Sequence, residues 1–363
     1  MADIQFHSTE IACFFADLLQ EQNFAVLASF KENKKGNDPR WMDCINALHR
    51  AVQTGEVKNI NELSSFVFEK QPGHGFSKEE QKEIKKTLGA AYQKYDAYYQ
   101  LHADQAEAFA RKNNELKNDP NIGYRQELDG LCDLFGVTKN QTFHAILAPT
   151  AQKSVEGQAW NQGFIQYTDF SQKKAAAEYI DGSPVLRSKI STPLHESTHL
   201  MFKQAGLEEA FMNPKSDGMK KLVQAMENTF NKDSSALLNP HAPIRWNAVR
   251  AIDEAMAAAT CKFVDIKHGN CGKDPENPDV KEWYNGFKAA NDLAPHAFKL
   301  IKDYMKQNKK IDDVFFGKMA DLYTRSQTRE LSLQQKLMHS MPKEASEPAI
   351  NQTLCRRKKD ISR

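Results

Sequence analysis

Two histidines stand four residues apart, with a glutamate directly after the first, in "STPLHESTHLMFKQAG", Ser191 to Gly206. On an α-helix residues at that spacing lie one turn above each other on a single face. A helix here therefore aims His195 and His199 at one point and places Glu196 on the same rim. The stretch is bounded as a helix should be. Thr192 suits the N-cap, Pro193 the first helical position and Gly206 the stop. Within it Leu194, Thr198, Met201 and Phe202 form a stripe that can face a core, with the histidines to one side. With 11 histidines in 363 residues, an H-E-x-x-H is expected by chance about 0.02 times in such a chain. The bland alternative is a pair of histidines on a solvated helix face.

The rest of the composition narrows the function classes. At 363 residues the chain is long enough for one large domain or two modest ones. It is 40% hydrophobic and 26% charged, as a soluble globular protein is. A formal net charge of +2 gives no whole-chain field for nucleic acid or anionic membrane. The longest apolar runs, such as "IACFFADLL", are too short to span a bilayer. That run lacks a basic leader and contains Asp17, which makes it a poor secretory signal. The protein is thus expected to be cytoplasmic, or exported without a classical signal peptide, delivery into a host cell being one route. No integral membrane segment and no nucleic-acid partner are expected. The six cysteines, at 13, 44, 132, 261, 271 and 355, form no C-x-x-C. Cys261 and Cys271 flank a loop and would bridge only in an oxidising compartment, reduced thiols being the alternative.

Periodicity divides the chain into a helical region at 1–138, a mixed region at 139–340 and a flexible basic tail at 341–363. Helices are predicted at about 8–21, 39–54, 60–69, 77–117 and 121–136. Ile84, Leu88, Tyr92, Tyr95 and Tyr99 repeat every three to four residues, so "YQKYDAYYQ" reads as a helix-packing stripe and not as a stacking platform for bases. "QTFHAILAP" and "QGFIQYTDF" are short, rich in β-branched and aromatic residues, and bounded by Pro149, Gly157 and Gly163. They read as two strands of a small antiparallel sheet. From about 184 the helical period resumes. The expected fold is α+β and mostly helical.

Zinc, Zn2+, needs a third protein ligand beside two histidines, and an open position for water. The extension that supplies a third histidine is absent, since Phe202 and Ala205 occupy its Gly and His positions. A carboxylate from a second helix is the other solution. "RWNAVRAIDEAMAAATCKFV" offers Glu254 among Ala251, Ala255, Ala257 and Ala258, on a helix starting after Pro243. Small residues allow that helix to approach a neighbour closely. Asp253 is the alternative, as ligand or as orienting group.

His195, Glu196, His199 and a downstream Glu254 in "IDEAMAA" resemble the gluzincin class of zinc metallopeptidases. The resemblance covers about 70 residues and singles out no family within the class. It implies a zincin-like domain and hydrolysis of peptide bonds in a protein or peptide substrate. Metal-activated water would attack the scissile carbonyl with Glu196 as general base. It also implies a residue to stabilise the oxyanion, with Tyr284 in "EWYNGF" the first choice and Tyr304, His241 and His296 its rivals. By the same analogy "QGFIQYTDF" takes the place of the edge strand along which zincins lay their substrate. The competing reading is a helical interaction protein, such as a translocated bacterial effector, in which the motif is inactive or incidental. Nothing in the sequence fixes an oligomeric state.

Overall fold

A computed structural model describes residues 1–18, 47, 50–52, 55–66, 76–118, 124–149, 157–160, 163–168, 191–267 and 287–340. The chain divides into two compact units, Met1–Ala205 and Gly206–Arg363. The helices before 138 and the strands after it therefore fall in one unit. The tail at 341–363 and most of the helix expected at 39–54 lie outside the described residues.

"AILAP" is apolar at consecutive positions, the mark of a strand covered on both faces. That strand is β2 (Thr142–Pro149), at the heart of the first unit. β1 (Asp3–His7), β2, β3 (Gly157–Trp160) and β4 (Gly163–Thr168) form a sheet in the order β1-β2-β4-β3. β1 and β2 run parallel, as do β2 and β4, and only the β3–β4 hairpin is antiparallel. The two segments expected to pair antiparallel thus pair parallel, His144 opposite Gly163 through Pro149 opposite Thr168. The reason is topological. β3 intervenes between them, so the chain reverses twice before β4 comes to lie beside β2.

Parallel neighbours need a long crossover, and the N-terminal helices supply it. α1 (Glu10–Leu18) packs on β2. Ile11, Phe14 and Phe15 join Ile146, Ala148 and Ile165 in one buried cluster. α2 (Ile60–Ser65) begins at Asn59, whose side chain accepts from Glu62 N–H. α3 (Lys78–Gln100) opens with a capping box between Ser77 and Glu80 and adds Leu88, Tyr95 and Tyr99 to the same cluster. Tyr99 donates its hydroxyl to the Ser8 carbonyl at 2.6 Å. The aromatic stripe is core, as its spacing indicated.

The single helix expected at 77–117 is two. A turn at Leu101–His102 separates α3 from α4 (Ala103–Leu116). The two halves bury against different partners, α3 on α1 and α4 on β1 and β2, which one straight rod would not do. α4 also finishes the sheet. In a parallel pair the backbone groups of alternate residues point away from the neighbour. Those of Phe6 are met by the Asn114 side chain, which accepts from its N–H at 3.2 Å and donates to its carbonyl at 3.0 Å. Lys117 donates to the Ile4 carbonyl at 2.8 Å. α5 (Tyr124–Phe135) follows, with Leu128, Leu131 and Phe135 buried. α6 (Ser191–Gln204) packs on β3, β4 and α5.

The second unit is helical throughout its described residues. α7 (Leu207–Met212) leads into α8 (Asp217–Lys232), α9 (Ile244–Lys267), α10 (Lys288–Lys306) and α11 (Asp313–Ser340). Each of the last four packs on the next, and α11 returns to α8, the neighbour pattern of a four-helix bundle. Phe315 and Phe316 are both buried, edge-on to Tyr304 and Phe211 respectively. α8 and α11 meet closely at Gly218, where an added Cβ would stand 2.0 Å from the Asp313 carbonyl oxygen. Asp313 in turn accepts the N–H groups of Gly218 and Met219 at 3.0 and 3.2 Å, capping α8 from the start of α11. Among the described residues no helix is long and apolar enough to cross a membrane.

Candidate metal site

The H-E-x-x-H stretch forms a helix that starts at Ser191 and ends at Gln204. Pro193 sits in its first turn, and Gly206 follows in the left-handed conformation (φ 69°) that glycine adopts without strain. The helix is anything but a solvated face. Leu194, Ser197, Thr198, Met201 and Phe202 are buried, and so are Glu196 (6% exposed) and His199 (9%). His195 is half-buried. Thr198 donates its hydroxyl to the Leu194 carbonyl at 2.8 Å, holding the middle of the helix.

The Nε2 atoms of His195 and His199 stand 3.1 Å apart. Ligand atoms at about 2.0–2.1 Å round a tetrahedral zinc are separated by about 3.3 Å, so the pair, within hydrogen-bond reach as it stands, is also spaced closely enough to chelate. The rings cross at 82° with centres 4.8 Å apart. For that nitrogen separation, end-to-end rings would have more distant centres. The two nitrogens therefore converge at an angle and leave room for a third body.

A carboxylate stands near the pair. One ligand atom each from His195, His199 and Glu254 lie within 4.8 Å of one another, a group that could hold a metal ion. Two neutral imidazoles and one carboxylate are a donor set that suits zinc. Glu254 lies on α9, which starts after Pro243 as its sequence indicated. Ala251, Ala255, Ala257 and Ala258 are all buried around it. Asp253, its rival, is buried too but is not part of the three-residue group.

Arg250 is the residue that sequence reading missed. It donates through Nη1 to Asp253 Oδ2 at 2.8 Å and through Nη2 to Glu254 Oε1 at 3.1 Å. The guanidinium thus forks across two adjacent carboxylates, compensating buried negative charge and fixing the Glu254 rotamer. The signal was present in "RAIDE", an arginine three and four residues before two acids on one helix.

Tyr284 lies outside the described residues, as does Cys271, while Cys261 is buried on α9. The rivals to Tyr284 have other engagements. Tyr304 donates its hydroxyl to Asp312 at 2.9 Å, and burial with that bond pushes its phenol up to about 12. His296 shares a hydrogen bond with Ser326 at 3.0 Å, and burial lowers its pKa. His241 is exposed ahead of α9.

Where the edge strand falls also differs from expectation. β4, the former "QGFIQYTDF", is internal, flanked by β2 and β3. β3 is the outer strand, and among the described residues it pairs only with β4. No protein-family model, curated protein or solved structure matches the chain.

Proposed function

We propose that the protein is a zinc-dependent metallopeptidase in which His195, His199 and Glu254 hold the metal and Glu196 is the general base. The observation that carries this reading is the convergence of those three ligand atoms within 4.8 Å, with a buried glutamate next to the first histidine. When bound, the ion supplies Lewis acidity, acidifying water and polarising a carbonyl.

The chain's own residues do the rest. Glu196 takes a proton from the attacking water, and the same carboxyl then delivers it to the leaving nitrogen. Arg250 holds Glu254 in place and is a positioning residue. The substrate, an extended peptide, adds beside β3 through backbone hydrogen bonds, next to the helix that carries the histidines.

The test is an unbiased peptide library incubated with the protein, with chelated protein and with Glu196→Ala. Cleavage by the first alone, with zinc retained in Glu196→Ala and lost in His195→Ala and Glu254→Ala, is the expected result. Zinc lost in Asp253→Ala and kept in Glu254→Ala would reassign the third ligand. Stoichiometric zinc without cleavage of any peptide would favour the interaction protein.

A further inference from the structure

The first unit contains a cavity of about 690 Å³ over one face of β1 and β2, a size within the range of small-molecule sites. Its described lining residues all fall between 5 and 146, and none of them belongs to the candidate metal group. In-register pairing places Gln5 opposite His144 and His7 opposite Ile146, so all four share a face. Ile11, Val52, Val57 and Ile146 give the cavity apolar walls. Its polar groups are His7, His144, Gln5, Thr9 and Lys58.

His7 Nε2 and His144 Nδ1 are 3.0 Å apart, with ring centres 5.2 Å apart and planes inclined by 26°. That centre separation is close to the largest the ring sizes allow, so the rings meet end to end. One N–H points straight at one lone pair. This differs from the crossed His195–His199 pair, and it leaves no room for an ion between the nitrogens. Burial, then the neighbouring charges of His144 and Lys117, lowers His7 to about 4, and burial lowers His144 as well. Both rings are therefore neutral at pH 7. Whichever nitrogen carries the shared proton, the dyad keeps one ring N–H for another acceptor.

The charge pattern selects the ligand. Lys58 is the one ionised group among the described lining residues, and no carboxylate is among them; the nearby Glu62 carboxylate accepts from the Lys58 backbone N–H. The amino end of α1 borders the same space through Thr9, Ile11 and Ala12, and its own first-turn Glu10, which accepts from Tyr92, already answers that helix end. A cation would meet no counter-charge among the described lining residues, and a neutral apolar molecule would leave the imidazole N–H and the ammonium unmatched.

We propose that this cavity binds a small organic anion, a carboxylate on a short apolar body. The carboxylate accepts from the dyad N–H and from Lys58, and the apolar body lies on Ile11, Val52, Val57 and Ile146.

The test follows the imidazole C–H resonances of His7 and His144 in the full-length, isotope-labelled protein. It titrates 4-phenylbutyrate, the uncharged 4-phenylbutyramide and inorganic phosphate, each to about 10 mM. The expected result is saturable movement of both histidines with 4-phenylbutyrate alone. Lys58→Met, at an exposed position, should weaken that binding about tenfold, and His195→Ala should leave it unchanged. No saturable shift with 4-phenylbutyrate overturns the proposal. So does equal binding of the amide, which would make the charge irrelevant, or equal binding of phosphate, which would make the apolar walls irrelevant.

Discussion

At the scale of single residues, the histidines carry most of what can be measured. His7 has its pKa lowered from 6.5 to about 4 in the folded protein, chiefly by burial. Between those values the unfolded chain binds the proton and the folded one does not. Its contribution is therefore intact above about pH 6.5 and lost as pH falls toward 4. Urea midpoints from pH 7 to pH 4 should show the wild type losing about 2 kcal/mol more than His7→Gln, a figure discounted for the partial exposure of the ring. Parallel curves would remove His7 from the account. The two histidines of the candidate metal group were legible because their spacing is a periodicity of the backbone, which sequence reports directly. Arg250 was harder to see, because a fork across two carboxylates is ordinary surface decoration until burial makes it matter. Arg250→Met should lower zinc affinity by about 10–100-fold with the ligands unchanged. Unchanged zinc affinity would make the arginine a purely structural partner.

At the scale of elements, the α8–α11 contact is the most exacting. A methyl at Gly218 would press on the Asp313 backbone, which cannot turn aside as a side chain can. Gly218→Ala should destabilise the protein by about 2 kcal/mol or more, seen as a lower thermal midpoint. A midpoint within a degree or so of wild type would mean that the helices separate freely. Helices were read well from sequence because each stripe of Leu, Tyr or Phe reports one buried face. The strands were found at β2 and β4 and mispaired. Alternation speaks to faces, while direction depends on what lies between the strands, here β3. The unbroken apolar run at 145–149 was the available sign of a parallel, doubly covered strand. β1 and β3 escaped notice for a simpler reason, since five and four residues are too few to show a period. The break at Leu101–His102 carries neither Gly nor Pro and is set by tertiary partners alone.

For the whole molecule, the two ends of the sheet deserve comparison. At one end Asn114 occupies the Phe6 N–H and carbonyl, and Lys117 the Ile4 carbonyl. At the other, β3 pairs only with β4 among the described residues. Asn114→Ala should bare β1, and light scattering should then report concentration-dependent self-association that the wild type lacks. A monodisperse variant would show that the side chain is dispensable as a cover. Among the described residues, the cover on β1 leaves β3 as the sheet's one uncovered edge strand. Under the proposed function, an extended peptide joining at β3 would find the β1 edge already covered, so the protein could hold a strand-like peptide without being threaded into a chain of its own copies. For the peptide binding proposed above, that asymmetry would separate capture from polymerisation.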